Sequence, residues 1–168
     1  MMKRILVALA AILLMSIAAS ALTVGKSAAK FDLEDQCGKN WKLAELKGSV
    51  VVVLTADQES GRLMGPWMDS LKSCYGSKIQ VLGLLDLHTV PAIGRWIARS
   101  QIKKETKDPL MLDFYGDTAK EYSVSSKHPV FTVIDKNGIV RSVQKSEFTK
   151  RGFAKTKSVI DKALKSKK

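Results

Sequence analysis

Cysteine is scarce in this chain. Only Cys37 and Cys74 occur among 168 residues. They do not form a CxxC, and no Cys/His cluster exists, which excludes a structural zinc staple. Histidine is equally rare: His88 and His128 stand alone, with no HxH or HxxxH ligand spacing. No Gly-rich run could cradle a phosphate. Aromatic residues make up 7% of the chain, too few and too scattered for an aromatic-basic platform that stacks nucleic-acid bases. Acidic side chains are outnumbered, 16 against 28 Lys and Arg, for a net charge of +12. After residue 21 no apolar run reaches the roughly 20 residues that span a bilayer. There is no internal repeat and no low-complexity linker, and the length suits one domain with a real core.

The N-terminus carries the one long apolar run. Lys3-Arg4 precede Ile5–Ala19, apolar except for Ser16, and Ala19-Ser20-Ala21 fits a small-x-small cleavage site. This reads as a secretory signal peptide over residues 1–21, with a single domain over 22–168 that is periplasmic or secreted. An uncleaved anchor is the rival reading, and the shortness of the run argues against it. In an oxidising compartment the two thiols can pair and stay paired. The charge excess is local, because Lys145–Lys168 holds nine basic and two acidic residues. A basic helix from about residue 149 would carry Lys155, Lys162 and Lys165 opposite a Phe153/Ile160/Leu164 stripe. That is the pattern of a solvated face, with at most a weak contact to an anionic surface or acidic partner.

The chain is organised around Val50–Leu71. Val50–Leu54 is an unbroken apolar run of four valines and a leucine. Such a run predicts a strand buried on both faces. A polar loop follows, and then a helix on which Leu63, Trp67, Leu71 and Cys74 recur as one stripe. The loop therefore lies at the carboxyl end of a central strand, where ligands sit in open α/β sheets. Upstream, Phe31–Leu33 and Trp41–Leu43 flank a turn at Gly38 and predict a β-hairpin. Downstream, Ile79–Leu85 predicts a second buried strand. Thr89 would cap a helix with Pro91 in its first turn and Ile93, Trp96 and Ile97 on its core face. Leu110–Leu112 is a short strand and Asp113–Tyr122 a turn with a short helix. Val130–Ile134 and Ile139–Val143 flank Asn137-Gly138, a strong hairpin signal.

This order resembles the thioredoxin fold, and within it the extracytoplasmic redoxins of the alkyl hydroperoxide reductase/thiol-specific antioxidant and thioredoxin-like groups. The resemblance is carried by Phe31-Asp32-Leu33 with Gly38 and Trp41-Lys42-Leu43, by Leu46-Lys47-Gly48 before the central strand, by Asp113–Val124 (DFYGDTAKEYSV), and by His128-Pro129-Val130-Phe131 with Val133–Gly138 (VIDKNG). It covers about Lys30 to Leu164. It implies an α/β, thioredoxin-like fold: a mixed central sheet flanked by helices, with an N-terminal β-hairpin. It also implies that Pro129, after His128, takes the family's cis-proline position facing the active-site loop.

The family's chemistry needs a cysteine in that loop, at a helix N-terminus where the thiolate is favoured. Here the loop reads Asp57-Gln58-Glu59-Ser60-Gly61-Arg62, and no cysteine lies between Cys37 and Cys74. The expected protein is a redoxin-fold binding or accessory module with a degenerate active site. It would have no cofactor and no catalytic residue, and its partner would be an unidentified protein or peptide. Two other readings stay open. One is a thiol-dependent oxidoreductase that uses Cys37 and Cys74, which could also form only a structural bridge or stay unpaired. The other is a small-molecule or metal binder that uses His88 and His128 with Asp57, Glu59 and Asp86. Arg62 is a further candidate for an anionic ligand.

Overall fold

A computed structural model describes residues 22–166; the signal peptide expected over residues 1–21 lies outside them. The strands are β1 (Asp32–Glu34), β2 (Asn40–Lys42), β3 (Val50–Ala56), β4 (Ile79–Asp86), β5 (Leu110–Asp113), β6 (Val130–Ile134) and β7 (Val140–Lys145). The helices are α1 (Gly65–Tyr75), α2 (Arg95–Glu105), α3 (Asp117–Glu121) and α4 (Lys150–Lys165).

Five strands form one mixed sheet in the order β5-β4-β3-β6-β7. β3 is central, parallel to β4 and antiparallel to β6. All seven of its residues are buried, which is why its sequence is uniformly apolar instead of alternating. Val50, Val52, Leu54 and Ala56 meet Trp67 and Leu71 of α1 and Ile160 and Ala163 of α4. Val51 and Val53 face a second core made with Phe31, Leu82, Leu84, Met111 and Tyr122. Tyr122 is fully buried and its hydroxyl donates to the Ala29 carbonyl at 2.7 Å; burial holds that phenol above its usual range.

The hairpin β1–β2 is a separate two-stranded sheet. Asp35 builds its turn by accepting from the Cys37 and Lys39 N–H groups at 2.8 and 3.0 Å and from Trp41 Nε1 at 2.9 Å. Gly38 sits at φ +84°, as the turn requires. Gln36 fastens the hairpin to the sheet edge. It donates to the Thr106 and Asp108 carbonyls at 3.1 and 2.7 Å and accepts from the Leu110 N–H at 3.0 Å.

Four expectations are corrected. Cys74 is exposed, and Tyr75 takes the inward place on α1 instead. Helix α2 does not begin at a Thr89 cap. A 3₁₀ turn over Ala92–Gly94 intervenes, and Thr89 Oγ1 instead accepts from Gln58 Nε2 at 3.1 Å. Ile93, Trp96 and Ile97 do not form a core face: they are 84%, 70% and 44% exposed, and no α2 residue is buried. Periodicity marked the stripe correctly but cannot say which way it points. Two arginines roll the helix outward. Arg95 donates to the Phe114 carbonyl at 3.2 Å, and Arg99 donates to the Asp35 carbonyl at 2.6 Å and pairs with Glu34. Finally, the His128–Pro129 bond is trans, as is every described peptide bond. Trans is the favoured form by about 0.5–1 kcal/mol. Pro129 runs straight into β6, its carbonyl accepting from the Ser146 N–H at 3.3 Å.

The turn between β6 and β7 gives a pH prediction. Buried Asp135 accepts from the Asn137 and Ile139 N–H groups at 2.9 and 3.0 Å and from Arg141 Nε at 2.6 Å. Burial pushes its pKa up. The bonds from the Ile139 N–H, the Arg141 guanidinium and the Asn137 N–H outweigh that and hold it below the usual carboxylate value. A lowered folded-state pKa favours the charged form in the native state. Its stabilisation is therefore complete above the unfolded carboxylate pKa, near 3.9, and is lost as pH falls through the lower folded value. Asp135→Asn should cost about 2 kcal/mol at pH 7. The gap from the wild type should close below about pH 3.9, as read by urea denaturation at several pH values.

Candidate functional site

The polar loop after β3 is shaped by Asp57. Its Oδ1 accepts from the Glu59 and Ser60 N–H groups at 3.0 and 2.9 Å, and its carbonyl accepts from the Gly61 N–H at 2.9 Å. Ser60 is fully buried beneath the loop. Its hydroxyl accepts from the Asp57 N–H at 3.2 Å and lies 2.9 Å from Asp57 Oδ1 and 2.8 Å from the Ser125 carbonyl, the two acceptors for its single proton. A local carboxylate–hydroxyl clasp thus holds the loop closed, and Ser60 ties it to the segment that leads to Pro129. Asp57 and Ser60 stand in one loop in the sequence, but only the fold brings the distant Ser125 near.

Beside the loop, at the carboxyl end of β4, His88 Nδ1 lies 2.8 Å from Asp86 Oδ1. Asp86 is buried and also accepts from the His88 N–H at 3.0 Å. Gly116, at φ +79°, lies against this pair. A Cβ there would fall 3.0 Å from His88 Cβ and 3.3 Å from Asp86 Oδ1. A polar cavity of about 420 Å³ opens here, lined by Asp57, Glu59, Asp86, His88, Ser125 and Ser126 among others. The structure therefore does bring His88 to the loop carboxylates.

His128 is not among the residues that line this cavity. Its Nδ1 lies 3.6 Å from Glu147 Oε1, beyond hydrogen-bond distance. Among the described residues no group of three or more His, Cys, Asp or Glu side chains is placed to hold a metal ion. His88 and His128 therefore do not form a donor set. Cys37 and Cys74 are both free and exposed, so the bridge held open between them is absent. The reason is local: Cys37 sits in the Asp35 turn of the hairpin, and Cys74 sits on the outer side of α1. Neither lines the loop or its cavity.

A larger groove of about 790 Å³ runs from the loop between α1 and α2. Gln58, Gly61 and Arg62 border it. Its floor is apolar, with Met64, Met68, Leu85, Leu87 and Ile102. No sequence signal marked this groove, because residues of a groove floor read as ordinary core.

A family model described as AhpC/TSA matches residues 24–143. None of the curated proteins matches the chain. Among solved structures, one from Chlorobium tepidum, named as a thiol:disulfide interchange protein DsbE, is 24% identical with a TM-score of 0.67 and covers 86% of this chain and 99% of its own. An exposed lipoprotein thioredoxin from Streptococcus pneumoniae is 22% identical with a TM-score of 0.61, covering 76% and 97%. A hypothetical protein from Sinorhizobium meliloti is 21% identical with a TM-score of 0.67, covering 86% of each chain. At these identities the likeness is one of fold.

Proposed function

Since the chain belongs to the AhpC/TSA family and has the thioredoxin-like redoxin fold, we propose that it is an exported member that works as a binding or accessory module without the family's dithiol chemistry. One observation carries this reading. The loop where a redoxin presents its sulfur is built from Asp57 and Ser60 instead, and both cysteines lie elsewhere, exposed and unpaired. A thiol nucleophile needs a helix N-terminus or a neighbouring cation. Cys74 instead sits in the last turn of α1, at the far end from the helix N-terminus.

The surface proposed for binding is the loop Asp57–Arg62 with the adjoining cavity, which holds exposed hydrogen-bonding groups and few cations. An extended polypeptide would lay its amides along Glu59, Ser126 and His88. No helix of the described residues is long and apolar enough to cross a membrane, which fits a protein free of the bilayer once its leader is removed.

The test is a redox titration of the purified protein: equilibration at graded thiol poise, alkylation and intact mass. Two alkylated thiols at every poise are expected. A dithiol midpoint between about −120 and −270 mV, the range of known oxidoreductases, would overturn the reading and make Cys37 and Cys74 an active pair.

A further inference from the structure

We propose that the outward face of α2 is a peripheral docking surface for a bilayer that carries anionic phospholipids, with Trp96 as its anchor. This goes beyond the binding-module reading and does not rest on it. The redox titration above and the vesicle measurements below can fail independently. The contact is a reversible one at the surface, not a span.

Five large hydrophobic side chains are exposed among the described residues, and four of them gather at the start of α2: Ile93 at 84%, Trp96 at 70%, Ile97 at 44% and Tyr115 at 75%. Tyr115 comes from the turn after β5, and Arg95 joins it to the helix, its guanidinium lying 4.7 Å from the ring. Scattered single hydrophobics need no explanation, but a cluster of this kind does. The fold holds it outward. The hydrogen bonds of Arg95 and Arg99 to the Phe114 and Asp35 carbonyls fix the roll of the helix, while Ile102 on its other side packs against the core.

Charge selects the occupant. Helix α2 holds Arg95, Arg99, Lys103 and Lys104 against Glu105 alone, and Lys107 follows it. That excess opposes a second copy of this chain and favours an anionic surface. From Trp96, steps of four and three residues lead through exposed Ser100 to exposed Lys103, with exposed Lys104 beside it. They therefore share one face of the helix, apolar and aromatic at its start and cationic at its end. Helices that lie in a bilayer interface have this composition: Trp and Tyr settle at headgroup level, and lysine stems reach past them to the phosphates. Lys103, Lys104 and Lys107 make no ion pair among the described residues. The other cationic surface, on α4, lacks an anchor. Its Phe153, Val159 and Leu164 pack against the core, and none of its large apolar side chains is exposed. Ile97 also lines the groove that reaches Gln58 and Arg62, so docking would hold the candidate loop close to the bilayer.

The chain from residue 22, which contains the whole sheet and both cores, is the protein to test. It should co-sediment with phosphatidylcholine vesicles containing about 30% phosphatidylglycerol, and hardly at all with phosphatidylcholine alone. Raising NaCl from about 0.05 to about 0.5 M should weaken binding by about 10-fold or more. Of the three tryptophans, Trp67 is buried and Trp41 half-buried, so a blue shift in emission on these vesicles should disappear in Trp96→Phe. Trp96→Ala should weaken binding by about 10-fold or more. Lys103→Gln with Lys104→Gln should weaken it by about 20-fold, about 5-fold for each lysine at the surface. All three side chains are exposed, so the thermal midpoints should match the wild type. Absence of binding, or equal binding to neutral vesicles, would overturn the proposal. Binding that survives Trp96→Ala and the lysine pair but is lost with Lys155→Gln and Lys162→Gln would overturn it too, by placing the contact on α4. A blue shift that grows with protein concentration and needs no vesicles would do the same, because a second copy would then cover the patch.

Discussion

Trp67→Ala should lower the stability of the protein by about 3–5 kcal/mol, the largest loss expected from any single substitution here. Trp67 is fully buried on α1. Its ring lies 4.0 Å from that of Phe131 on β6, 5.3 Å from Phe148 and 6.1 Å from Phe153 on α4. One side chain therefore couples the helix beside the candidate loop, the central sheet and the C-terminal helix. Truncation would leave a cavity bounded by three aromatic rings that are each fixed to a different element, so it cannot collapse. With a total stability of roughly 5–15 kcal/mol for a domain of this kind, the loss leaves little margin. Trp67→Phe separates packing from polarity. The Trp67 indole N–H has no hydrogen-bond partner, so phenylalanine gives up volume but no bond and should cost about 1–2 kcal/mol. Guanidinium denaturation of the three proteins reads both values. Equal losses for Ala and Phe would show that the aromatic cluster does not act through packing.

How much of this architecture could be read from the sequence depended on whether the signal was local. Val50–Leu54 announced a two-faced central strand because burial on both sides leaves no polar position to keep. Asn137-Gly138 announced a turn because a tight hairpin turn needs a residue that accepts a positive φ, and Gly138 sits at φ +79°. Both are written into neighbouring residues. The orientation of α2 was not. An amphipathic stripe shows that a helix has two faces, and only Arg95, Arg99 and their distant acceptors Phe114 and Asp35 decide which one turns inward. The proline isomer fared the same way. The motif His128-Pro129 was legible, but the trans bond depends on how the chain enters β6 and pairs with Ser146. At the candidate site, the absence of sulfur was plain from composition. The clasp of Asp57 and Ser60 with Ser125, 65 residues away from Ser60, was not, because nothing in a local window links those segments.

The segment Asp113–Val124 joins fold and site, and Asp113→Ala should cost about 3 kcal/mol. Asp113 is buried at the end of β5. Its Oδ1 accepts from the Tyr115 and Gly116 N–H groups at 3.2 and 2.8 Å, and its Oδ2 accepts from the Ala119 N–H at 2.8 Å. Those are the donors of a tight turn and the first turn of α3, too short a helix to hold itself. Alanine leaves all three without a protein acceptor, and a buried donor that loses its partner costs about 1–3 kcal/mol. Water reaches Tyr115 and its neighbours, so the total stays below the sum. The same geometry explains the motif's spacing. Gly116 is needed at φ +79° and against His88, and Ala119 is needed because its position is fully buried. Gly116→Ala should therefore destabilise by about 1–2 kcal/mol from backbone conformation alone. It should also displace the His88 ring from Asp86, because its new methyl would press on His88 Cβ. Denaturation midpoints measure the first effect, and the imidazole resonances of His88, assigned with His88→Gln, measure the second. If Gly116→Ala moves the midpoint but leaves those resonances in place, the turn supports the fold only. If it moves both, Asp113 and Gly116 also set the geometry of the cavity beside the candidate loop.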